Sequence, residues 1–560
     1  ISKFKVISPN SKIYFASMVD LLHWPRVLLR YKKVDGIFIL ENELDKTFLI
    51  TELLSNKDKI DYDNFLFLEN DHIVLSRDKR KSISIKGEKK TLSVFATILP
   101  SWGISFAPCG LAYIISSLRN NNYHVVAKDF NLEFWKTLKK SDWKEYESLD
   151  TWCDLEVFNN QTIYKIEHFL NNVVDEIIDS GCQVAAFSIF HTSEKTYAEV
   201  ARRLRQRAPE IKLVTGGPSS VGKLVDDYIN QNFIDAAVLG EGEEAFVELL
   251  DNWCVGDFEK PVGGVAIKAQ DGKIIKNMVR KQADINSLPV PDYSDFNIYN
   301  YLNHKLPIFF SRGCIARCTF CYETNFWKKF RIKKPTLIVD EMEYNIKNYN
   351  INTFSINDSL MNGSHKLLEK IADTILERKL KVRYHGYCRV DKRMTKELLL
   401  KLRESGCEGI AYGVETGSQK VLDSMRKGTK VSEATPLLKR TFDVGMNITV
   451  FIMVAFPGET LMDFCKTLLL LYRNRKYIDQ ANITAFMAAP MTDTEINPDQ
   501  YELQFDKQRD KLVSTEFWNN PQMRHLKFKI IHKFWNLIKK NHKRNIENMW
   551  RTPEGREPLM

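Results

Sequence analysis

The sequence predicts an α/β chain built as two successive sheet-forming halves: a doubly wound parallel sheet, then a partial (β/α)6 barrel. Three observations carry that expectation. Short β-branched and apolar runs alternate with amphipathic helical stretches across residues 91–255. The same alternation resumes from 304 to about 490, after a proline-containing connection. Finally, a cysteine triplet falls just after the first run of the second half, at the strand end where barrel chemistry resides.

In the first half, Leu92–Ile98, His124–Lys128, Val184–Ile189, Ile211–Thr215 and Ala236–Leu239 read as strands. Each is a short, nearly continuous apolar run, as parallel strands buried on both faces require. Cys109–Asn120, Ile163–Asp179, Lys195–Gln206 and Lys223–Gln231 read as the intervening helices. Such a flavodoxin-like (Rossmann-type) sheet binds ligands at the carboxyl ends of its strands. The strand ends and loops expected there contain Ser101-Trp102, Ser188 at the end of the third strand and His191 after it, Gly216-Gly217, and Gly240-Glu241. Glycines at such positions let backbone approach a large flat ligand closely.

Residues 256–303 are expected to be a linker, with Pro289 and Pro291 enforcing an extended crossing. In the second half the expected strands are Leu306–Phe310, Thr353–Asn357, Val382–Tyr387, Gly409–Val414, Ile448–Val454 and Ala481–Phe486. The expected helices are Thr336–Asn348, His365–Arg378, Thr395–Ser405, Gln419–Met425, Ser432–Val444 and Leu461–Asn474. Asp340, Glu341 and Glu343 on the first of these helices read as a solvated face. Residues 491–560 read as a basic helical region. There Ile530, Ile531, Phe534, Trp535 and Ile538 share one face, expected to pack on the barrel and cover a substrate cavity. Residues 1–90 form an amino-terminal extension to which no chemistry is assigned. Its charged stretch, Arg77 to Lys90, reads as a linker or exposed edge.

A chain of 560 residues, 44% apolar, has enough material for two to four well-filled domains. No apolar run approaches bilayer-spanning length, and no signal-peptide pattern opens the residues that begin at Ile1. Ten cysteines without paired extracellular spacing fit a reducing, cytoplasmic compartment. The net charge of +10 is modest for this length and reads as a Lys-rich solvated surface, with no nucleic acid expected.

The cysteine triplet is the most specific signal. Cys314, Cys318 and Cys321 are spaced Cys-x-x-x-Cys-x-x-Cys, with Phe320 before the last. Structural zinc wants four ligands, usually in two hooks, and no second hook is present. Three thiolates suit a cubane iron–sulfur cluster with one iron left open. This loop resembles the cluster-binding loop of the radical S-adenosylmethionine (radical SAM) superfamily. In that family the open iron chelates SAM, whose reductive cleavage yields a 5′-deoxyadenosyl radical. No cysteine follows Cys465, so a single [4Fe-4S] cluster is expected.

The first half is similar to the cobalamin-binding domain that precedes many radical SAM enzymes. The similarity rests on Ala107-Pro108-Cys109-Gly110, Val214-Thr215-Gly216-Gly217-Pro218 and Leu239-Gly240-Glu241-Gly242-Glu243. It implies cobalamin contacts at Ser101, Trp102, Ser188, His191, Gly216, Gly217, Gly240 and Glu241. The His of the usual cobalt-ligating motif is absent: Leu99-Pro100-Ser101-Trp102-Gly103 stands there.

For SAM, the resemblance implies contacts from Tyr322, just after the last cysteine, and from Asn357, Asp358, Arg389, Glu415, Ser418 and Glu459 at expected strand ends. Arg389 offers a bidentate grip for a carboxylate. The reaction expected is methyl transfer from methylcobalamin to an unactivated carbon of a peptide or small molecule. The electron would come from a flavodoxin- or ferredoxin-type reductant. A cyclisation, epimerisation or redox rearrangement on the same cofactors is the alternative, followed by a non-catalytic cobalamin or iron–sulfur sensor. A tRNA methylthiotransferase would carry a second cysteine triad; Cys109, Cys153, Cys182 and Cys254 are too scattered to form one.

Overall fold

The computed structural model describes residues 92–220, 222–277, 282–506 and 511–539, together with five short strands nearer the amino terminus. The chain divides into two compact units, residues 1–90 and 91–560. In the first, Ile13–Phe15 pairs parallel with Gly36–Phe38. Leu66–Glu69, His72–Leu75 and Ser82–Ile83 form a three-stranded antiparallel sheet. Apart from Ser82–Ile83, the charged stretch from Arg77 to Lys90 lies outside the described residues.

The second unit contains two large sheets. The first carries β1 (Ser93–Ile98), β2 (His124–Asp129), β3 (Val184–Ser188), β4 (Lys212–Gly216), β5 (Ala236–Val238), β6 (Val265–Lys268) and β7 (Ile274–Asn277). Their order is β7-β6-β5-β4-β3-β1-β2. The parallel 2-1-3-4-5 core places a topological switch point between β1 and β3. β1 shows why these residues choose this place: Val94 to Ile98 are all buried, as a central strand covered on both faces demands.

Helix α1 (Cys109–Asn120) covers the sheet with Leu111, Ala112, Ile115 and Leu118 at helical spacing. Helices α2 (Phe130–Thr137), α3 (Glu167–Asp179), α4 (Glu194–Arg207), α5 (Gly222–Asn230) and α6 (Ala245–Cys254) follow. The expected strands and helices of this half all form, with ends shifted by a few residues at most. Phe130–Thr137 was not expected as a helix; Asp129 caps it by accepting from Leu132 N at 2.8 Å.

Residues expected to link the halves do more than connect. Val265–Lys268 and Ile274–Asn277 form an antiparallel hairpin that extends the first sheet. The proline segment lies along α1: Ser116 Oγ donates to Val290 O at 2.6 Å, Arg119 pairs with Asp292 at 2.6 Å, and Tyr293 is fully buried.

The second sheet is all parallel and runs in chain order: β8 (Leu306–Ile308), β9 (Thr353–Ile356), β10 (Arg383–Arg389), β11 (Cys407–Glu415), β12 (Asn447–Val454) and β13 (Gln480–Ala485). Sequential parallel order is what repeated right-handed β-α units produce. The helices are α7 (Pro335–Tyr349), α8 (His365–Glu377), α9 (Lys396–Glu404), α10 (Gln419–Ser424), α11 (Val431–Asp443) and α12 (Leu461–Asn474). A capping box between Thr460 and Asp463 starts α12.

One expectation for this half is corrected. Asp340 and Glu343 do face solvent, where both meet Arg378. Glu341 does not: it is fully buried, paired with Lys333 and reached by the Tyr113 hydroxyl of α1. The two halves press together at this point, so what reads as an exposed helix face in isolation becomes an interface.

The carboxyl-terminal helix α13 (Pro521–Lys539) packs on β13 and α12, burying Ile531 and Trp535. Ile530, expected on the same buried face, is exposed. Lys527 is instead buried, ion-paired to Glu459 at 2.8 Å. Residues 540–560 lie outside the described residues. No helix among the described residues is long and apolar enough to cross a membrane.

Candidate active site

A cavity of about 560 Å³ lies where the carboxyl ends of both sheets face each other. From the first sheet it is lined by the ends of β3, β4 and β5, including Ser188, Gly216, Gly217, Gly240 and Glu241. Trp102 and Phe190 join them, their rings 5.5 Å apart. From the second sheet it is lined by Ser311, Arg312, Gly313, Tyr322, Glu323, Asn357, Asp358 and Tyr387. Of the residues expected to meet cobalamin, Ser101 and His191 do not border it. Ser101 is buried, its carbonyl accepting from Thr192 Oγ1. The His191 side chain is 75% exposed, beside Glu194. Among the described residues the C-terminal region also contributes no lining residue. Helix α13 seals the outer edge of the barrel sheet at β13 and does not roof this chamber.

The glycine wall is shaped for a flat occupant. A Cβ on Gly216 would meet nothing nearer than Val238 Cβ at 4.0 Å, so protein packing does not demand glycine there. What its absence keeps clear is the cavity itself. Gly217 is different: its φ of +93° and backbone contacts at 2.9 Å to Ile189 require glycine outright.

Across from that wall, the loop after β8 carries Cys314, Cys318 and Cys321. The thiols stand within electrostatic reach of one another. Burial pushes Cys321 up to about 12. Burial also raises Cys318, offset in part by Lys427 and Arg389. These two cations favour thiolate character where a cluster's negative charge would sit. Among the described residues no three His, Cys, Asp or Glu side chains converge on a single ion. A cubane takes one thiolate per iron and keeps its ligands apart.

Asp358 sets the entry to this loop. It is 2% exposed and accepts from Phe310 N at 2.7 Å and Ser311 Oγ at 2.5 Å. Burial raises its carboxyl to about 7 despite those donors. Gly313 follows with φ +86°, where a Cβ would fall 2.5 Å from Lys329 O. The loop therefore turns where it does by covalent geometry as well as by hydrogen bonding.

Arg312 ties this loop to the first sheet. It is 5% exposed, with Glu241 at 2.8 Å and Glu243 at 2.5 Å. Arg331 also reaches Glu241 at 2.8 Å. The Arg312 guanidinium lies 5.4 Å from the ring centroids of Tyr113, Phe309 and Trp327. Burial alone would raise the Glu243 carboxyl; Arg312 more than offsets this and holds it below the usual range. Glu241 is therefore committed to an ion pair between the sheets.

The residues expected to meet SAM divide into three groups. Tyr322, Asn357 and Asp358 border the cavity. Arg389 and Glu415 lie beside Cys318 and Lys427, whose Nζ pairs with Glu415 at 2.6 Å in a buried contact. The Arg389 guanidinium has no carboxylate partner among the described residues; Asn362 holds only its backbone, donating to O and accepting from N. Ser418 and Glu459 are already occupied. Ser418 Oγ donates to Asp463 at 2.7 Å, and Glu459 accepts from Ala455 N and Lys527. They shape the loops that end β11 and β12.

Arg312, Glu323, Lys427 and Lys527 escaped the sequence reading. Arg312 and Glu323 flank the cysteine triplet, and that adjacency was the available signal. Lys427 and Lys527 lie 12 and 68 residues from their partners, a separation no local pattern reveals.

The donor set fits the expected cofactors: three neighbouring thiols, an uncommitted guanidinium beside them, and an opposed wall floored by glycine. Comparison with known proteins agrees. Residues 308–471 match the family model described as Radical SAM superfamily. A curated relative, anaerobic magnesium-protoporphyrin IX monomethyl ester cyclase of Rubrivivax gelatinosus, is 27% identical over 289 residues, 50% of this chain and 51% of that protein. The chain spans about half the length of the first curated relatives it matches.

Among solved structures, the cobalamin-dependent SAM radical enzyme OxsB with aqua-cobalamin and SAM bound aligns at TM-score 0.58. The identity is 15%, covering 88% of this chain and 73% of OxsB. The radical SAM methyltransferase TsrM of Kitasatospora setae, with cobalamin and a [4Fe-4S] cluster, aligns at 0.59 and 15%, covering 82% of this chain and 92% of TsrM. At such identities the likeness shows a shared fold. This chain contains a radical SAM domain, set against an amino-terminal sheet in the fold of cobalamin-dependent radical SAM enzymes.

Proposed function

We propose that this chain is a cobalamin-dependent radical SAM enzyme that methylates an unactivated carbon. One observation carries the reading: a single cavity is bordered by the cysteine loop's neighbours on one side and by the glycine strand ends on the other. When bound, the reduced cluster with SAM supplies a hydrogen-abstracting radical and the corrinoid supplies the methyl group.

The chain's own residues hold and aim these groups. Cys314, Cys318 and Cys321 ligate the cluster. Arg389 grips the SAM carboxylate and Glu415 accepts from its ribose, with Lys427 fixing the Glu415 carboxylate. Tyr322 and Asn357 border the SAM end of the cavity. Gly216, Gly217, Gly240, Ser188 and Trp102 receive the corrin face. Asp358 sets the path of the cysteine loop, and Arg312 fixes that loop to the loop after β5. Holding both reacting groups against one shared cavity raises their effective concentration and favours radical capture over quenching.

A flavodoxin- or ferredoxin-type protein is the electron donor in this reading. The ten cysteines are all free, which supports a reducing, cytoplasmic setting. A non-methylating cyclisation is the second reading, favoured by the cyclase relative.

The test is anaerobic reconstitution with iron, sulfide and cobalamin. The expected outcome is an iron–sulfur chromophore, a retained corrinoid band and reductant-dependent 5′-deoxyadenosine. The Cys318→Ala variant should lose the cluster and the cleavage. Unchanged SAM cleavage in that variant would reject the assignment. A product heavier by one CH₂ separates methylation from cyclisation.

A further inference from the structure

We propose that Glu323 receives the ammonium group of a cationic substrate with an apolar body, an inference that rests on the cavity being the reaction chamber described above. The charges bordering the chamber are uneven. Four carboxylates line it (Glu241, Glu243, Asp358 and Glu323) against one cationic side chain, Arg312. Two of the four have cation partners in the protein, and a third is almost fully buried. Glu241 and Glu243 share Arg312, with Arg331 also on Glu241. Asp358 is held by Phe310 N and Ser311 Oγ.

Glu323 differs. It is only part-buried, accepts side-chain hydrogen bonds from Ser359, Trp327 and Tyr322, and pairs with no Lys or Arg among the described residues. A part-buried carboxylate without a counter-charge stays costly even when hydrogen-bonded, and a ligand cation lowers that cost.

The walls around Glu323 have the complementary chemistry. Tyr322, Phe326 and Trp327 come from the same short segment, with Tyr322–Phe326 centroids 6.2 Å apart and Phe326–Trp327 centroids 4.9 Å apart, both pairs edge-to-face. Phe309, Phe190 and Trp102 line the rest. Aromatic faces attract ammonium groups and pack apolar bodies. The one guanidinium is locked between two carboxylates and has no capacity left for an anion. Phosphorylated or carboxylate-rich substrates are therefore disfavoured here, and amines are favoured.

The experiment uses the reconstituted full chain and three probes of similar size: 2-phenylethylamine, 2-phenylethanol and 3-phenylpropionate. Affinities are measured by calorimetry for the wild type, Glu323→Gln and Glu323→Asp. The expected result is that the wild type prefers the amine to the alcohol by about tenfold, the scale of one favourable ion pair against an aromatic wall. The preference falls to within about twofold in Glu323→Gln and survives in Glu323→Asp. The alcohol's own affinity stays unchanged, which excludes a collapsed cavity. An unchanged amine preference in Glu323→Gln, a preference for the propionate, or no binding of any probe would overturn the proposal. So would a Glu323→Gln variant that weakens SAM while leaving amine selectivity intact, since the carboxylate would then serve the cofactor's own cation. Binding is read independently of SAM cleavage, so a protein that never forms 5′-deoxyadenosine would sink the radical reading without deciding this one.

Discussion

Replacing Arg312 with Met should destabilise the second unit by about 3–5 kcal/mol at pH 7, the usual cost of removing one partner from a buried charge pair. The structure says where that cost arises. Glu241 keeps Arg331, 2.8 Å away, so it remains compensated. Glu243, 7% exposed, has Arg312 as its ion-pair partner and is left buried and charged. Met also forgoes the three ring contacts of the guanidinium.

The double variant Arg312→Met/Glu243→Gln removes the orphaned charge and should recover most of the loss. Urea denaturation followed by tryptophan fluorescence reads both. The penalty is pH-dependent. In the wild type the Glu243 carboxyl is held low, so its contribution is present above the unfolded glutamate value, about 4.3, and is lost as pH falls below it. In the single variant burial is opposed only by a backbone hydrogen bond and the weaker pull of Arg331, so the carboxyl rises and its destabilisation is present at neutral pH and fades towards acid. The gap between wild type and variant should therefore narrow as pH drops from 7 towards 4. A single variant within about 1 kcal/mol of wild type, or a double variant no better than the single, would refute the reasoning.

Three further outcomes follow from the same geometry. Gly216→Leu adds a side chain at the cavity wall, where its Cβ meets nothing nearer than 4.0 Å, so it should abolish corrinoid retention while iron content stays unchanged; a retained corrinoid band would argue against the glycine wall as its seat. Asp358 carries a carboxyl raised to about 7, so between its unfolded value near 4 and pH 7 the folded state binds the extra proton and wild-type stability declines as pH rises. Asp358→Asn should flatten that decline, and an identical pH profile would contradict the assignment. Lys527→Met leaves Glu459 fully buried without its cation and should cost about 3–5 kcal/mol. Amide exchange should rise together in α13 and around Pro457 and Gly458, and rise in α13 alone would refute the coupling.

Glu341 shows the limit of reading helices one at a time. Its neighbours Asp340 and Glu343 behave as an exposed face, but Glu341 meets Lys333 and Tyr113 because α1 of the other half packs there. The hairpin Val265–Lys268/Ile274–Asn277 was hidden for a related reason. Its strands are four residues each, and their pairing with β5 is what makes them part of the sheet.

The strand and helix alternation, the strand ends as the place of chemistry and the cysteine triplet as a cluster loop were all fixed locally. They depend on hydrophobic period, turn residues and ligand spacing within a few positions of one another. Which charges neutralise which was settled only by tertiary structure: Arg312 with Glu241 and Glu243, Lys427 with Glu415, Lys527 with Glu459. A pair of buried charges lowers its energy by meeting in space, whatever their separation along the chain, so local sequence carries no record of the choice. The same packing left Glu323 facing the cavity with no Lys or Arg partner among the described residues, which no spacing rule could have disclosed.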